Sequence, residues 1–175
     1  MANRLWVLDD KPIQVSFDTK GYSFYEGGTG ILGSPVEAHL RLVAARGDQK
    51  IEIPSASDLK GRVVIRSPEE ALEFVRLLTS PGTHYLFPDI DYVEPAEADG
   101  APAPWAYTED YARRMNLEPP RVRREGADFI IERNLVDREG GLFRATERVD
   151  SDGGYSLIKR VSIDEHSPVA YPLFQ

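Results

Sequence analysis

Gly28-Thr29-Gly30-Ile31-Leu32-Gly33 spells G-x-G-x-x-G, a spacing that lets backbone N–H groups approach a pyrophosphate. A dinucleotide loop needs a buried strand running into the first glycine and a helix that starts within the motif. Here the lead-in "GYSFYEG" is half polar, and Ser34-Pro35 follows the third glycine directly. A proline at that point lacks the N–H of an early helical turn and clashes with the turn before it. No Lys-Ser/Thr pair follows, so a P-loop is excluded too. The expectation is a glycine loop at 27–33 between strands, with Gly28 and Gly30 as contacts for a small ligand.

Asp89-x-Asp91 is the second constellation, with Glu94 three residues on. Alternate residues of a strand point the same way, and hard carboxylate oxygens suit Mg²⁺ or Mn²⁺. Asp89, Asp91 and Glu94 are therefore the candidate metal ligands. His84 lies near them and is the candidate general base of a metal-assisted hydrolase with Asp89 and Asp91. The other histidines, His39 and His166, have no ligand spacing to it. The chain has no cysteine, which removes thiolate nucleophiles, thiolate metal sites and disulfides. No G-x-S-x-G elbow occurs, and Pro35 denies Ser34 the following N–H that an oxyanion hole uses. The competing reading of "FPDIDYVEP" is an acidic turn that needs no cofactor.

Aromatic residues are the third class. Trp105 and Tyr107 stand beside an acidic, proline-bearing stretch and are the candidate anchors of a protein contact, against a plain packing role.

The elements that position these residues are mostly short strands. Residues 4–8, 12–18 and 21–25 read as strands, with Ile13, Val15 and Phe17 on one face of the second. Residues 36–46 allow a helix capped by Ser34 or a strand with Val36, Ala38, Leu40, Leu42 and Ala44 on one face. The complete alternation favours the strand, and Arg46-Gly47-Asp48-Gln49 then reads as a hairpin turn. "GRVVIR" at 61–66 reads as a buried strand. The clearest element is a helix over 67–80, with Ser67 as cap, Pro68 at its first position and Glu70 completing a capping box. Ala71, Phe74, Val75 and Leu78 give it one apolar face. "THYLF" reads as the next strand, and 94–106, with Pro95, Pro102 and Pro104, as an extended loop or linker. A short helix is expected at 108–116, capped by Thr108. In the tail, Val136-Asp137-Arg138-Glu139-Gly140-Gly141 recurs thirteen positions later as Val149-Asp150-Ser151-Asp152-Gly153-Gly154. Each Gly-Gly marks a tight turn, so 127–136, 142–149 and 155–163 read as a three-stranded antiparallel meander.

The fold class expected is α+β: an antiparallel sheet with that C-terminal meander, one long helix and one short one, in a single domain over 1–175. The 175 residues, 41% hydrophobic and 29% charged, suit such a core. No run approaches the roughly 18 apolar residues of a membrane span, and the start carries no apolar signal region. A cytoplasmic setting without membrane contact is the expectation. The net charge is −8, and residues 61–106 hold eight acids against three basic residues. Such a field disfavours nucleic acid and favours a protein partner with a basic surface. The leading expectation is thus a small acidic binding protein of inhibitor or immunity type, without a cofactor. The metal-assisted hydrolase and the glycine-loop ligand binder are the alternatives.

Overall fold

The computed structural model describes residues 4–7, 10–30, 41–79, 90–92, 109–137 and 141–166. Among them the chain is α+β, with two antiparallel sheets and two α-helices. The first sheet holds β1 (Arg4–Val7), β2 (Ser23–Gly30), β3 (Arg41–Arg46) and β4 (Gln49–Ile53) in that spatial order. A 3-10 turn at Ala56–Leu59 and helix α1 (Pro68–Leu78) follow. After β5 (Ile90–Tyr92) and α2 (Glu109–Met115) come β6 (Arg121–Glu125), β7 (Asp128–Asp137), β8 (Leu142–Val149) and β9 (Tyr155–Asp164). The second sheet runs β5-β7-β8-β9. β6 shares one side of β7 with β5: β6 takes Asp128–Glu132 and β5 takes Leu135–Asp137.

Local chemistry explains the elements that match expectation. The Ser67 hydroxyl accepts from the Glu70 N–H at 3.2 Å, and Pro68 fills the first helical position, where its missing N–H costs nothing. Glu70 does not close the capping box. Its carboxylate accepts from the Arg66 N–H at 2.6 Å, one residue before the cap. Asn116, with φ 52°, ends α2 in the left-handed region, and the Leu117 N–H reaches back to the Ala112 carbonyl at 2.8 Å. Residues 41–46 of the ambiguous stretch form strand β3, and its hairpin to β4 turns at Gly47 with φ 58°. The meander β7-β8-β9 forms as the repeat implies. In its second turn the two glycines have different tasks. Gly153, at φ 82°, lies beneath Val63, where a Cβ would overlap the valine methyl. Gly154 leaves room for the Asp150 carboxylate, which accepts from the Asp152 and Gly154 N–H groups at 2.9 and 2.7 Å.

Three expectations are corrected. Residues 12–18 form no strand, only isolated bridges from Ile13 to Phe24 and from Asp18 to Val64. Residues 61–66 are not a strand either. Val63 and Ile65 are buried, but the backbone is satisfied by turns: Gly61 and Ile65 N–H groups bond to Asp152 and Ser151, and Val64 N–H to Asp18. The glycines placed in a loop at 27–33 lie partly in a strand, since Gly27, Gly28 and Gly30 belong to β2. β6 is an addition, paired to β7 across Gly126 at φ 64°. The stretches 83–87 and 94–106 lie outside the described residues.

The main core cluster joins both sheets. Phe24, Leu42, Ala44 and Ile53 come from the first, Phe129, Ile131 and Val149 from the second, and Ala71, Phe74, Val75, Leu77 and Leu78 from α1. Phe17 meets Phe74 edge-to-face at 5.8 Å. A smaller cluster sets Tyr111 of α2 on Val136 and Leu142. No helix among the described residues is long and apolar enough to cross a membrane.

Candidate functional site

The residues singled out by chemical type are only partly in view. Gly28 and Gly30 face Trp6 and Arg4 across the β1–β2 ladder. An extended strand does not converge successive N–H groups on one point, as a phosphate-binding nest does. Asp91 is the middle residue of β5, opposite Val136. His84, Asp89, Glu94, Trp105 and Tyr107 lie outside the described residues, and the expected carboxylate–histidine site lies there with them. Among the described residues, no group of three or more His, Asp or Glu side chains is arranged to hold a metal.

A polar cluster that composition does not reveal sits in the core instead. Arg133 on β7 and Glu147 on β8 are both 0% exposed. The pair is bidentate, with Nε to Oε2 at 2.6 Å and Nη2 to Oε1 at 2.9 Å. Arg133 Nη1 also donates to Thr79 Oγ1 at 2.8 Å, and that hydroxyl donates to the Val75 carbonyl at 2.9 Å. The Tyr155 hydroxyl donates to Glu147 Oε1 at 2.9 Å. Burial first, and then the Glu147 charge, push the Tyr155 phenol far above its ordinary value. The network ties the end of α1 to β7, β8 and β9. Its ionic groups are closed to solvent, so its chemistry is structural.

The surface signal lies on β9. This strand is the outer strand of its sheet, and among the described residues nothing pairs with its free edge. Leu157, Ile158 and Val161 are 43%, 50% and 44% exposed, and they are the large apolar side chains left exposed among the described residues. Lys159 and Arg160 stand between them, both exposed. The Arg160 guanidinium lies over the Phe143 ring, 3.8 Å from its centroid, which fixes the long side chain against the sheet. Two register shifts, between Leu142 and Phe143 and between Thr146 and Glu147, leave Ile163 and Ile158 without a partner on β8. Bulges and cations are the devices that keep an edge strand from accepting another strand. β9 therefore presents side chains rather than a flat ladder of backbone groups.

Polar clefts flank the strip at both ends. One, about 300 Å³, is lined by Phe143, Arg160, Ser162, Glu165 and His166. Beside it Asp164 accepts from the Tyr111 hydroxyl at 2.8 Å and the His166 N–H at 3.0 Å, which holds α2 against the end of β9. The other, about 260 Å³, is lined by Lys60, Asp128, Arg148, Asp150, Tyr155 and Ser156. Its charges are matched in pairs, Lys60 with Asp150 at 3.3 Å and Arg148 with Asp128 at 3.7 Å. The signal in the sequence was the run Leu157-Ile158-Lys159-Arg160-Val161 itself. Adjacent apolar residues followed by adjacent cations have no period of two, so the strand has no clean inner face.

No protein-family model, curated protein sequence or solved structure matches the chain.

Proposed function

We propose that the protein works by binding another protein, in the manner of an inhibitor or immunity partner, and that β9 is the strip the partner covers. One observation carries this: the exposed large apolar side chains among the described residues all fall within five residues of one edge strand. Apolar side chains with a polar cleft at each end match the anatomy of a contact surface, with a dry centre and a wet rim. The bulged edge directs the contact through side chains, not through strand addition. Lys159 and Arg160 call for carboxylates beside an apolar socket on the partner, while the chain's net charge of −8 draws a partner that is basic overall. A single domain over 1–175 in a cytoplasmic setting belongs to this proposal. The core shared by the two sheets supports the first part.

The test is a comparison of three immobilised proteins in one lysate. They are the wild type, the triple variant Leu157→Ser/Ile158→Ser/Val161→Ser, and the exposed control Gln14→Ala. Circular dichroism first confirms that all three are folded. The proposal expects a protein retained by wild type and control and lost from the triple variant, with β9 amides protected from exchange in the recovered complex. Equal retention by the triple variant, or no retention by the wild type, refutes it.

A further inference from the structure

Three turns converge on Tyr22. Lys20 and Gly21, at φ 49° and 81°, lead the chain into β2. Arg46 ends β3 before Gly47, and Arg62 follows the turn at Gly61, at φ 79°. The Arg46 and Arg62 guanidinium carbons lie 5.5 and 5.3 Å from the centroid of the Tyr22 ring. Arg62 Nη1 donates to the phenolic oxygen at 2.9 Å, and its Nε donates to the Asp58 carbonyl at 2.7 Å, which fixes the fork in place. Lys20 Nζ donates to the Gly61 carbonyl at 3.1 Å, beside Arg62. Among the described residues, neither Arg46 nor Arg62 is in an ion pair. Two guanidinium groups therefore meet at one point with no carboxylate of the described residues in ion-pair contact with either.

The phenol reports the local field. Arg46 first, then Arg62, hold it below the ordinary tyrosine value, against the opposing effect of burial. Negative charge is thus favoured at this oxygen. The hydroxyl accepts from Arg62, so its own proton remains available for donation. Guanidinium forks match phosphoryl oxygens in geometry as well as charge.

We propose that Tyr22, Arg46 and Arg62 form a binding site for a phosphoryl oxyanion. The two arginines supply charge-assisted donors, and the phenol supplies an O–H donor. The ligand class is the phosphoryl dianion, present free as inorganic phosphate or at the end of a small monoester. The site uses none of the β9 residues, so it stands or falls apart from the proposed protein contact.

Tyrosinate absorbance against pH, on the full chain, tests it. Tyr22→Phe identifies the Tyr22 step by difference. Inorganic phosphate and O-phosphoserine are the two probes, with acetate at matched ionic strength as control. A bound dianion neutralises the two guanidinium groups, so the Tyr22 step moves to higher pH, saturably, with either probe. Saturation by phosphoserine alone assigns the site to monoesters, and saturation by both assigns it to the free anion as well. Arg46→Gln, on an exposed hairpin end, weakens binding at least roughly tenfold, the loss expected when a bond to a charged group is removed. Arg62→Gln does the same. No shift, an equal shift with acetate, or unchanged binding in Arg46→Gln overturns the proposal.

Discussion

Arg133 and Glu147 show what a single residue can impose on this fold. Each would be costly to bury alone, yet together with Thr79 and Tyr155 they form a closed network in the core. Replacing a buried ion pair by apolar groups of similar volume is often neutral or stabilising, whereas removing one partner strands the other charge. Glu147→Gln is therefore expected to destabilise the protein by about 3–5 kcal/mol, read from the urea midpoint at constant slope. The double variant Arg133→Met/Glu147→Leu should recover most of that loss. A double variant as weak as Glu147→Gln would show that the pair contributes net stability rather than register. The pattern of β7 held part of this in view. Phe129, Ile131, Arg133 and Leu135 alternate onto one face, so Arg133 had to point inward. Its partner was not legible, because Glu147 stands opposite Ile131, diagonal to Arg133, and only the β7–β8 register brings the two together.

Elements divide by whether their signals are local. α1 was legible almost to the residue because cap, proline and periodicity lie in one run. Ser67→Ala should cost about 1 kcal/mol, the usual loss for a hydroxyl cap, in thermal or urea unfolding. No loss would mean that the Glu70–Arg66 bond alone sets the helix start. The β8–β9 turn was legible for the same reason, since Gly-Gly states its own geometry. Residues 12–18 and 61–66 were not. Their alternating apolar residues report burial, which Phe17, Val63 and Ile65 obey, but burial does not say whether the backbone pairs with a strand or with turns. The glycines of β2 escaped because glycine carries no strand preference and no side chain to alternate. β6 escaped because Arg121-Val122-Arg123-Arg124-Glu125 is mostly charge. The surface of β9 follows from its place at the edge of the sheet, a property of the assembled sheet and not of any one stretch. Candidates chosen by chemical type, such as Asp89 and His84, carry no such information about position.

The charge balance of the whole molecule sets how it responds to acid. Among the described residues, four carboxylates are held below their ordinary values, and each sits at a junction. Asp18 is lowered by the Lys20 N–H and then by Arg66, at the turn before β2. Glu69 is lowered by its own backbone N–H and by Ser67, at the start of α1. At the β8–β9 turn burial opposes the ionisation of Asp150, but the Gly154 and Asp152 N–H groups and Lys60 prevail. Asp164 is lowered by the His166 N–H and the Tyr111 hydroxyl, where α2 meets β9. In each case the unfolded chain binds its proton at a higher pH than the folded one. The stability these groups supply is complete above the ordinary carboxylate range and is lost as pH falls through their lowered values. Self-repulsion runs the other way: the charge of −8 at pH 7 relaxes toward the isoelectric point near 4.9. The melting midpoint should therefore hold or rise slightly from pH 7 to about 5, then fall steeply below about pH 4, where free carboxylates take up protons. Added salt should raise the midpoint at pH 7 by screening the repulsion, and do less near pH 5. Asp150→Asn keeps an oxygen for the two N–H groups but loses the charge that pairs with Lys60. It should lower the midpoint at pH 7 and flatten the fall below pH 4. A wild-type midpoint unchanged down to about pH 3 would mean that these four carboxylates keep their ordinary affinity for protons in the fold, and that the turns they hold are secured by packing alone.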